Sequence, residues 1–297
     1  MQKTRIKTET FAEVFRKRLW LIVIFTLLFV FVCAFSLIVT AYNGGKVQLH
    51  SKLPPSDLGL TELSVSDETE EDSGTVLTET ARVDESYFAD ALFCGDSISD
   101  GFRVYTEVFS GFRTATMIGL SPQAVSYHTF KNKTGDPAEE MTMLQMIQYF
   151  NPKKIYIMLG TNGLEWGDPE ALIEGFETFL DEVMAAMPTS DIIIESITPT
   201  TEATANKRPG FSKDRILQYN AMLKDMAARK GLYFLDVYAA VVGTDGYTPV
   251  EIAAPLDGIH FTPQGYQRIK DYIMTHTVQG DDAYSIGPDG FIQFTAA

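Results

Sequence analysis

The chain has 297 residues, of which 24 are lysine or arginine and 39 are aspartate or glutamate, so its formal net charge is −15 at pH 7. This length exceeds one average domain but does not require two. So acidic a chain disfavours nucleic acids and anionic lipid head groups as partners, because both repel negative charge. A role in solubility alone is the simpler explanation of the charge.

The first predicted element is a membrane helix at residues 19–42, a segment without any charged side chain. It is long enough to cross the ~30 Å hydrocarbon core of a bilayer. Residues 1–18 hold six basic and two acidic side chains, so the positive-inside rule places them in the cytoplasm and the rest of the chain outside. The alternative is a cleaved signal peptide, with residues 39–41 as the small-residue cleavage site. The apolar region of a signal peptide, however, spans only about 7–15 residues, and the segment 19–42 is longer. We predict an uncleaved anchor.

Residues 43–86 have the composition of a linker. Serine, threonine, aspartate and glutamate dominate the stretch 64–80, which has few large apolar side chains. Such a segment buries too little apolar surface to fold and repels itself. We therefore predict an extended extracellular stalk that carries a folded domain at 87–297.

From residue 87 onward, apolar segments of strand length alternate with amphipathic segments of helical length. The predicted strands are 91–94, 115–118, 154–159, 192–194 and 232–237. The predicted helices are 97–109, one opened by Asp136-Pro137 and closed by Asn151-Pro152, one from Asp168-Pro169, one that ends near Gly231, and one from Thr262-Pro263. Apolar strands between amphipathic helices indicate a parallel sheet covered on both faces. The predicted fold class is α/β, a three-layer α/β/α flavodoxin-like sandwich with five parallel strands, preceded by one transmembrane helix.

Polar residues follow the predicted strands. Ser97 follows the first strand, Gly119 the second and Asn162 the third, while Asp257 and His260 follow the fifth. All are expected at the carboxyl edge of the sheet, where open α/β folds bind ligands. A serine, a histidine and an aspartate supply a nucleophile, a base and a group that orients the base, which is the chemistry of acyl transfer.

Each of these residues also has a structural interpretation. Asn162, within a Gly-Thr-Asn-Gly run, is a typical turn residue, and His260 alone fits a structural histidine. We expect Asp96 to cap a helix and to have no catalytic role. Cys94 lies inside the predicted first strand, and we expect it to be a buried hydrophobe and not the nucleophile. A disulfide with Cys33, in the predicted membrane helix, is not expected.

Other chemistries find little support in the sequence. There is no Gly-x-Ser-x-Gly elbow, which disfavours the α/β-hydrolase fold. Four scattered histidines and two cysteines do not form a zinc pattern. Neither a P-loop nor a Gly-x-Gly-x-x-Gly run follows a strand, so we predict no metal and no cofactor.

Taken together, these residues resemble the motifs of the SGNH/GDSL hydrolase family over residues 88–276. The run 95–98 is similar to the first sequence block of the family, with isoleucine in place of the usual leucine. Gly119 is similar to the glycine of the second block, the run 160–162 is similar to the third block, and the run 257–260 is similar to the fourth. The resemblance implies that Ser97 is the nucleophile, His260 the base and Asp257 its partner. It also implies an oxyanion hole formed by the N–H groups of Ser97 and Gly119 and the amide of Asn162.

The expected function is a membrane-anchored extracellular serine esterase that acts on short acyl esters, above all O-acetyl groups on cell-envelope carbohydrate. The segment 200–211 is polar and is expected to line the acceptor side of the site, which disfavours long acyl chains. Three alternatives stay open: an O-acyltransferase that works with a partner protein, a lipase or thioesterase, and a non-catalytic envelope-binding module. The expected partners are an acylated carbohydrate or another small ester, and the membrane through the N-terminal helix. The sequence does not identify any protein partner.

Overall fold

The computed structural model describes residues 75–278 and the backbone of Tyr284–Ile286 and Ile292–Phe294. All of them belong to one unit, Glu68–Ala297. The predicted membrane helix at 19–42 lies outside the described residues, as does the predicted stalk up to residue 74. Among the helices that the structure does describe, none combines the length and the hydropathy that a membrane span requires. The anchor therefore stays a prediction.

The described elements alternate between strands and helices. The strands are β1 (Ala91–Gly95), β2 (Thr114–Thr116), β3 (Thr129–Lys131), β4 (Glu140–Thr142), β5 (Lys154–Met158), β6 (Asp191–Glu195), β7 (Tyr233–Leu235), β8 (Tyr284–Ile286) and β9 (Ile292–Phe294). The α-helices are α1 (Ser97–Val104), α2 (Met143–Phe150), α3 (Thr161–Leu164), α4 (Pro169–Ala186), α5 (Glu202–Lys207), α6 (Lys213–Lys230), α7 (Val237–Val241) and α8 (Pro263–Ile273). Two short 3₁₀ turns occupy Glu85–Phe88 and Pro209–Phe211.

Five of the strands form one parallel sheet in the order β2-β1-β5-β6-β7. Numbered along the chain within this sheet, the order is second, first, third, fourth, fifth, which is the flavodoxin-like order. The chain reverses direction across the sheet between β1 and β5, and open α/β folds bind ligands at the carboxyl ends of such a pair. The five-stranded parallel α/β fold predicted from the sequence is confirmed.

The strands of this sheet are buried on both faces, because helices cover both. Every residue of β1 and β2 is buried, and so are the last four residues of β5 and of β6. On one side α4 contacts both α2 and α6. Elsewhere α1 packs against α8, where the Tyr266 hydroxyl donates to the Ile98 carbonyl (2.9 Å), and α7 also contacts α8. Two helical groups with the sheet between them form the three layers.

The predicted helix start at Asp136-Pro137 is wrong. These two residues lie in the loop between β3 and β4, an antiparallel pair that the sequence analysis missed. The helix begins later, after Thr142, whose Oγ1 accepts from the Gln145 N–H (3.3 Å) while the Gln145 side chain accepts from the Thr142 N–H (2.9 Å). This reciprocal capping box fixes the start of α2. An Asp-Pro pair fits a helix start and a loop equally well, which explains the error.

Residues 75–86 were predicted to belong to the linker, and the structure corrects this boundary. Val76 forms a parallel bridge with Phe234 of β7, and the Leu77 N–H donates to the Phe234 carbonyl (2.9 Å). Farther along, the Val83 N–H donates to the Met274 carbonyl (2.9 Å). Backbone pairing at an edge strand protects it from other chains. The large apolar residues of this segment, Val76, Leu77 and Val83, lie among polar and charged residues, so the sequence pattern did not reveal them.

Glu195, the last residue of β6, is fully buried, and within the described part of the chain neither of its carboxyl oxygens has a hydrogen-bond partner. Burial raises its pKa to about 8, because an ionised carboxylate is unfavourable in an apolar environment. Glu195 therefore carries a proton at neutral pH in the folded protein, whereas in the unfolded chain it ionises near its ordinary pKa of 4.5.

We expect the protein to lose stability as the pH rises from 5 to 9, because over this range the folded state binds more protons than the unfolded state. Glu195 contributes on the order of 4 kcal/mol to this fall in the free energy of unfolding, and Glu195→Gln is expected to remove that contribution. Urea unfolding at both pH values measures the effect. Glu174→Gln on the exposed side of α4 is the control and keeps the wild-type pH dependence. Equal pH dependence in Glu195→Gln and wild type would contradict the account.

Candidate active site

Ser97 is the first residue of α1, and only Asp96 separates it from the end of β1 at Gly95. Asp96 caps this helix, as expected from the sequence, since its Oδ1 accepts a hydrogen bond from the Ile98 N–H (2.9 Å). The first N–H groups of a helix have no intrahelical acceptor, and the helix dipole favours negative charge at this end. The backbone around Ser97 is thus suited to hold an anion.

His260 links Ser97 to Asp257. Its Nε2 lies 2.8 Å from the Ser97 Oγ, and its Nδ1 lies 2.7 Å from the Asp257 Oδ2. The three side chains predicted as nucleophile, base and orienting group are therefore brought together, although 163 residues separate Ser97 from His260 along the chain.

The Asp257 carboxylate determines which ring nitrogen of His260 carries the proton. Its burial acts to raise the pKa, but hydrogen bonds from the Ile259 N–H (2.8 Å), the His260 ring and the His260 N–H (3.0 Å) outweigh this, so the pKa of Asp257 is lowered below its usual value. An ionised carboxylate only accepts hydrogen bonds, so His260 Nδ1 donates to it. Nε2 is then the free acceptor for the Ser97 hydroxyl.

The segment 200–211 supports the loop that carries Asp257. It was expected to be a loop along the acceptor side, but it contains α5 and the 3₁₀ turn. The Thr204 Oγ1 donates to the Asp257 carbonyl (2.7 Å), and the Thr201 N–H donates to the Gly258 carbonyl (2.9 Å). Gly258 has φ +66°, and a side chain there would collide with the Thr201 hydroxyl, so only glycine suits this turn. The start of α5 thus holds Asp257 in place.

Asn162 lies on α3, just beyond the carboxyl end of β5. Its Nδ2 donates to the Asp96 Oδ2 (2.9 Å) and, through a longer bond, to the Leu120 carbonyl (3.4 Å). These two bonds place the amide between the residue before Ser97 and the residue after Gly119. The predicted third motif therefore meets the first two at the same edge of the sheet.

Gly119 lies in the turn after β2, with φ +80°. The turn is attached to the end of β1, since the Met117 N–H donates to the Gly95 carbonyl (3.1 Å). Within the described part of the chain no acceptor is found for the Gly119 N–H. The structure thus places Gly119 at the predicted edge with its backbone donor unpaired.

Asp96 is the site residue whose importance the sequence analysis missed. Besides capping α1 it anchors Asn162, and it is fully buried. Burial raises the pKa of Asp96 to about 6, against the opposing effects of the Ile98 N–H, the His260 ring and the Asn162 amide. Its signal in the sequence was its place directly before Ser97, but nothing local indicated a contact 66 residues away. Asp96 is a positioning residue, because it acts through Asn162 and α1.

The remaining candidates for chemistry are less favourable. Cys94 is buried inside β1, and burial raises the pKa of its thiol well above the usual value, which makes the nucleophilic thiolate inaccessible. Among residues 75–278, no cluster of three or more histidine, cysteine, aspartate or glutamate side chains is arranged to hold a metal ion. The arrangement of hydroxyl, imidazole and carboxylate is one that transfers acyl groups.

Solved structures with a similar shape include several ester hydrolases. One is a GDSL-like lipase from Bacteroides thetaiotaomicron, with 15% identity, a TM-score of 0.46, and coverage of 64% of this chain and 87% of its own. Another is a carbohydrate esterase family 3 protein from Talaromyces cellulolyticus, with 17% identity, a TM-score of 0.45, and coverage of 61% and 92%. A lipase/acylhydrolase from Enterococcus faecalis shows 18% identity, a TM-score of 0.44, and coverage of 62% and 93%. No curated protein matches the sequence.

A family model covers the region in which the site lies. The GDSL-like lipase/acylhydrolase family matches residues 93–268, a range that includes every residue described above from Cys94 to His260. This range is more than half of the 297 residues. The chain therefore belongs to the GDSL-like lipase/acylhydrolase family and is a hydrolase.

Proposed function

We propose that this hydrolase is a serine esterase that removes short acyl groups, above all O-acetyl groups, from carbohydrate outside the cell. The observation that carries the proposal is the continuous chain of hydrogen bonds from the Ser97 Oγ through the His260 ring to the Asp257 carboxylate. In this proposal the protein is anchored by the segment 19–42, with its N-terminus in the cytoplasm.

The proposed reaction has two halves. His260 Nε2 takes the Ser97 hydroxyl proton while the Ser97 Oγ attacks the ester carbonyl carbon. The tetrahedral intermediate collapses as His260 returns the proton to the leaving alcohol, which leaves an acyl group on Ser97. Water, deprotonated by His260, then attacks the acyl carbon, and the second tetrahedral intermediate releases the acid as His260 returns the proton to the Ser97 Oγ. Asp257 stays ionised and stabilises the imidazolium that forms in each half.

The negative charge on the tetrahedral intermediate needs donors close to Ser97. In our proposal these are the N–H groups of Ser97 and Gly119 and the Nδ2 of Asn162. The first N–H lies at the start of α1 and the second has no other acceptor within the described residues. Asn162 keeps its shorter bond to Asp96, and the oxyanion replaces its longer bond to the Leu120 carbonyl.

Asn162→Ala is expected to lower kcat by roughly 10²–10³-fold, because one oxyanion donor is lost. The KM for a small ester is expected to change little, since the charge develops only in the transition state. Steady-state kinetics with p-nitrophenyl acetate, together with the melting temperature, measure both effects. Asn162→Asp is the second variant, since it keeps the shape but removes the donor and places a carboxylate against Asp96. Full activity in either variant would contradict the proposed role.

Two features support a polar substrate with a short acyl group. Thr204, which holds the Asp257 carbonyl, is polar, and the Glu165 carboxylate and Arg208 guanidinium form an ion pair near the same loop. In our proposal the stalk and the membrane helix hold the site where envelope polymers lie. An O-acyltransferase uses the same acyl-enzyme and differs only in passing the acyl group to a sugar hydroxyl.

The test is turnover of p-nitrophenyl acetate, butyrate and octanoate by the full chain in mild detergent, beside Ser97→Ala. We expect the highest kcat/KM with acetate and a loss on the order of 10⁵-fold in the variant. Preference for octanoate would shift the assignment to a lipase. Absence of turnover with all three esters, from a chain that melts cooperatively, would contradict hydrolysis and favour a partner-dependent transferase or a binding module.

A further inference from the structure

Trp166 is 86% exposed, although it follows α3, the helix that carries Asn162 of the candidate site. It comes four residues after Asn162, and its N–H donates to the Gly163 carbonyl (3.4 Å) in the turn that extends α3. Residues four apart on a helical turn lie about 5–6 Å from each other at their Cβ atoms. A large aromatic ring thus faces solvent about one helical turn away from the proposed oxyanion donor, where it contributes almost nothing to the core.

The residue before Trp166, Glu165, forms an ion pair with Arg208. The Arg208 Nε donates to the Glu165 Oε1 (2.6 Å), and its Nη2 donates to the Oε2, so the pair is bidentate. The Arg208 guanidinium also lies 4.6 Å from the centre of the Phe211 ring. The hydrogen bonds from Arg208 lower the pKa of Glu165 below its usual value. The carboxylate next to Trp166 in the chain is therefore ionised and fixed by Arg208.

The backbone of this turn is fixed as well. The Arg215 Nε donates to the Leu164 carbonyl (3.0 Å), and its Nη2 donates to the Gly167 carbonyl. Gly210 approaches the Glu165 backbone so closely that any side chain at this position would collide with it. Two arginines thus hold a turn whose central side chain is exposed to water. Preorganisation of this kind favours ligand binding, since little freedom is lost when the ligand arrives.

This turn is connected to the proposed catalytic residues. Arg208 directly follows α5, whose Thr204 holds the Asp257 carbonyl. The hydrogen bond to Glu165 is the main cause that raises the pKa of Arg208, and the charge of Asp257 contributes to it. Trp166, Glu165 and Arg208 therefore lie beside the Asp257 loop, at the edge of the sheet that carries Ser97.

We propose that Trp166, Glu165 and Arg208 form a subsite, called here the Trp166 platform, that binds the sugar ring bearing the acyl ester. The proposal rests on the esterase function proposed above and names the part of the site that selects carbohydrate. The face of an indole ring is electron-rich and attracts the slightly positive C–H groups of a pyranose face. The carboxylate beside it accepts hydrogen bonds from sugar hydroxyls, and the guanidinium donates to them.

A lipid surface is the other chemistry that an exposed tryptophan suits. The surroundings of Trp166 disfavour it, because insertion of the ring into a bilayer would carry the neighbouring Glu165–Arg208 pair out of water. Desolvation of an ion pair costs several kcal/mol per ion in proteins. The same pair is an advantage for a sugar, which brings its own hydroxyl groups as partners.

The first experiment compares Trp166→Ala and Trp166→Phe in the full chain. The substrates are p-nitrophenyl acetate and partially O-acetylated cellotetraose, xylotetraose and chitotetraose. We expect Trp166→Ala to lower kcat/KM for the preferred oligosaccharide about tenfold more than for p-nitrophenyl acetate, through KM, and Trp166→Phe to restore most of the loss. The matched control is Tyr149→Ala, an exposed aromatic at the end of α2 that leads into the opposite edge of the sheet. We expect Tyr149→Ala to leave kcat and KM unchanged for all of these substrates.

Equal losses for all substrates, or no loss at all, would overturn the platform while leaving the esterase in place. If the wild-type chain fails to cleave p-nitrophenyl acetate, the esterase proposal fails instead. Kinetics thus separate the two failures.

The second experiment measures binding without turnover. The chain has two tryptophans, so Trp20→Phe combined with Ser97→Ala leaves Trp166 as the single tryptophan, which is excited selectively at long wavelength, in a protein expected to be inactive. We expect the preferred oligosaccharide to shift the Trp166 emission and to protect it from acrylamide. Brominated phosphatidylcholine in vesicles that hold the protein quenches tryptophans in contact with lipid, and we expect no quenching of Trp166. Quenching by the brominated lipid, without protection by any oligosaccharide, would overturn the proposal in favour of a lipid surface.

Discussion

His260→Ala is expected to lower kcat for p-nitrophenyl acetate on the order of 10⁵–10⁶-fold, because the Ser97 hydroxyl loses the base that removes its proton. The reason is geometric: the His260 Nε2 lies 2.8 Å from the Ser97 Oγ, and Nδ1 is already engaged by Asp257. KM is expected to change much less than kcat. Single-turnover kinetics with purified variant and wild type measure the loss.

The control is His128→Ala, which removes an exposed histidine whose ring stacks on Tyr127 and makes no contact with Ser97 in the described structure. It should keep kcat within about twofold of wild type, as is usual for surface substitutions away from special features. A loss of less than about 10²-fold in His260→Ala would contradict the proposed base, since general acid–base catalysis alone typically contributes about 10²–10⁴-fold to the rate.

Asp257→Asn is expected to lower kcat on the order of 10⁴-fold with little change in fold, an effect known from other enzymes with such a triad. The asparagine oxygen can still accept from the Ile259 and His260 N–H groups, which are held at 2.8 and 3.0 Å in the wild type. Its amide, however, presents a donor to His260 Nδ1. The ring must then carry its proton on Nε2, where it can no longer accept the proton of Ser97.

Asp245→Asn is the matched control, because Asp245 is also a loop carboxylate that accepts from a backbone N–H two residues on, that of Tyr247 (3.1 Å). It tests the effect of an Asp-to-Asn change in a similar turn that lies outside the hydrogen-bonded chain of Ser97, His260 and Asp257. We expect unchanged kcat there. If Asp257→Asn retains more than about a tenth of wild-type kcat while it folds normally, the orienting role of Asp257 is wrong.

The parallel sheet was predictable because its strands are short apolar runs between amphipathic helices. The run 154–159, for example, predicted β5 to within one residue. The start of α4 at Pro169 and the end of α6 before Gly231 also followed from local signals, a first-turn proline and a left-handed glycine, which act through the backbone alone.

Elements that depend on distant partners were missed. The strands β3 and β4 have three residues each, too few for a periodic pattern, and they exist because they pair with each other. The segment 75–86 has the composition of a linker, yet Val76 finds the free edge of β7. Composition reports whether a segment can form its own core, but it does not report that an existing edge is available to it.

The candidate site shows the same division. The sequence order placed Ser97, Asn162, Asp257 and His260 at strand ends, and the fold brings them to one edge, because parallel strands end at the same side of a sheet. Their roles stay proposals. The Trp166 platform could not be predicted, because nothing near Glu165 in the sequence indicates that Arg208, 43 residues away, would meet it.

The most direct test of the central claim, that Ser97 forms the acyl-enzyme, is to treat the full chain with a fluorophosphonate and locate the adduct by mass spectrometry. We expect one adduct on Ser97, with esterase activity lost in proportion to the labelled fraction. Ser97→Ala is expected to form no adduct at this position, and His260→Ala is expected to form it much more slowly than wild type. Undiminished turnover of p-nitrophenyl acetate by a chain fully labelled on Ser97, or inactivation by an adduct elsewhere, would contradict the mechanism.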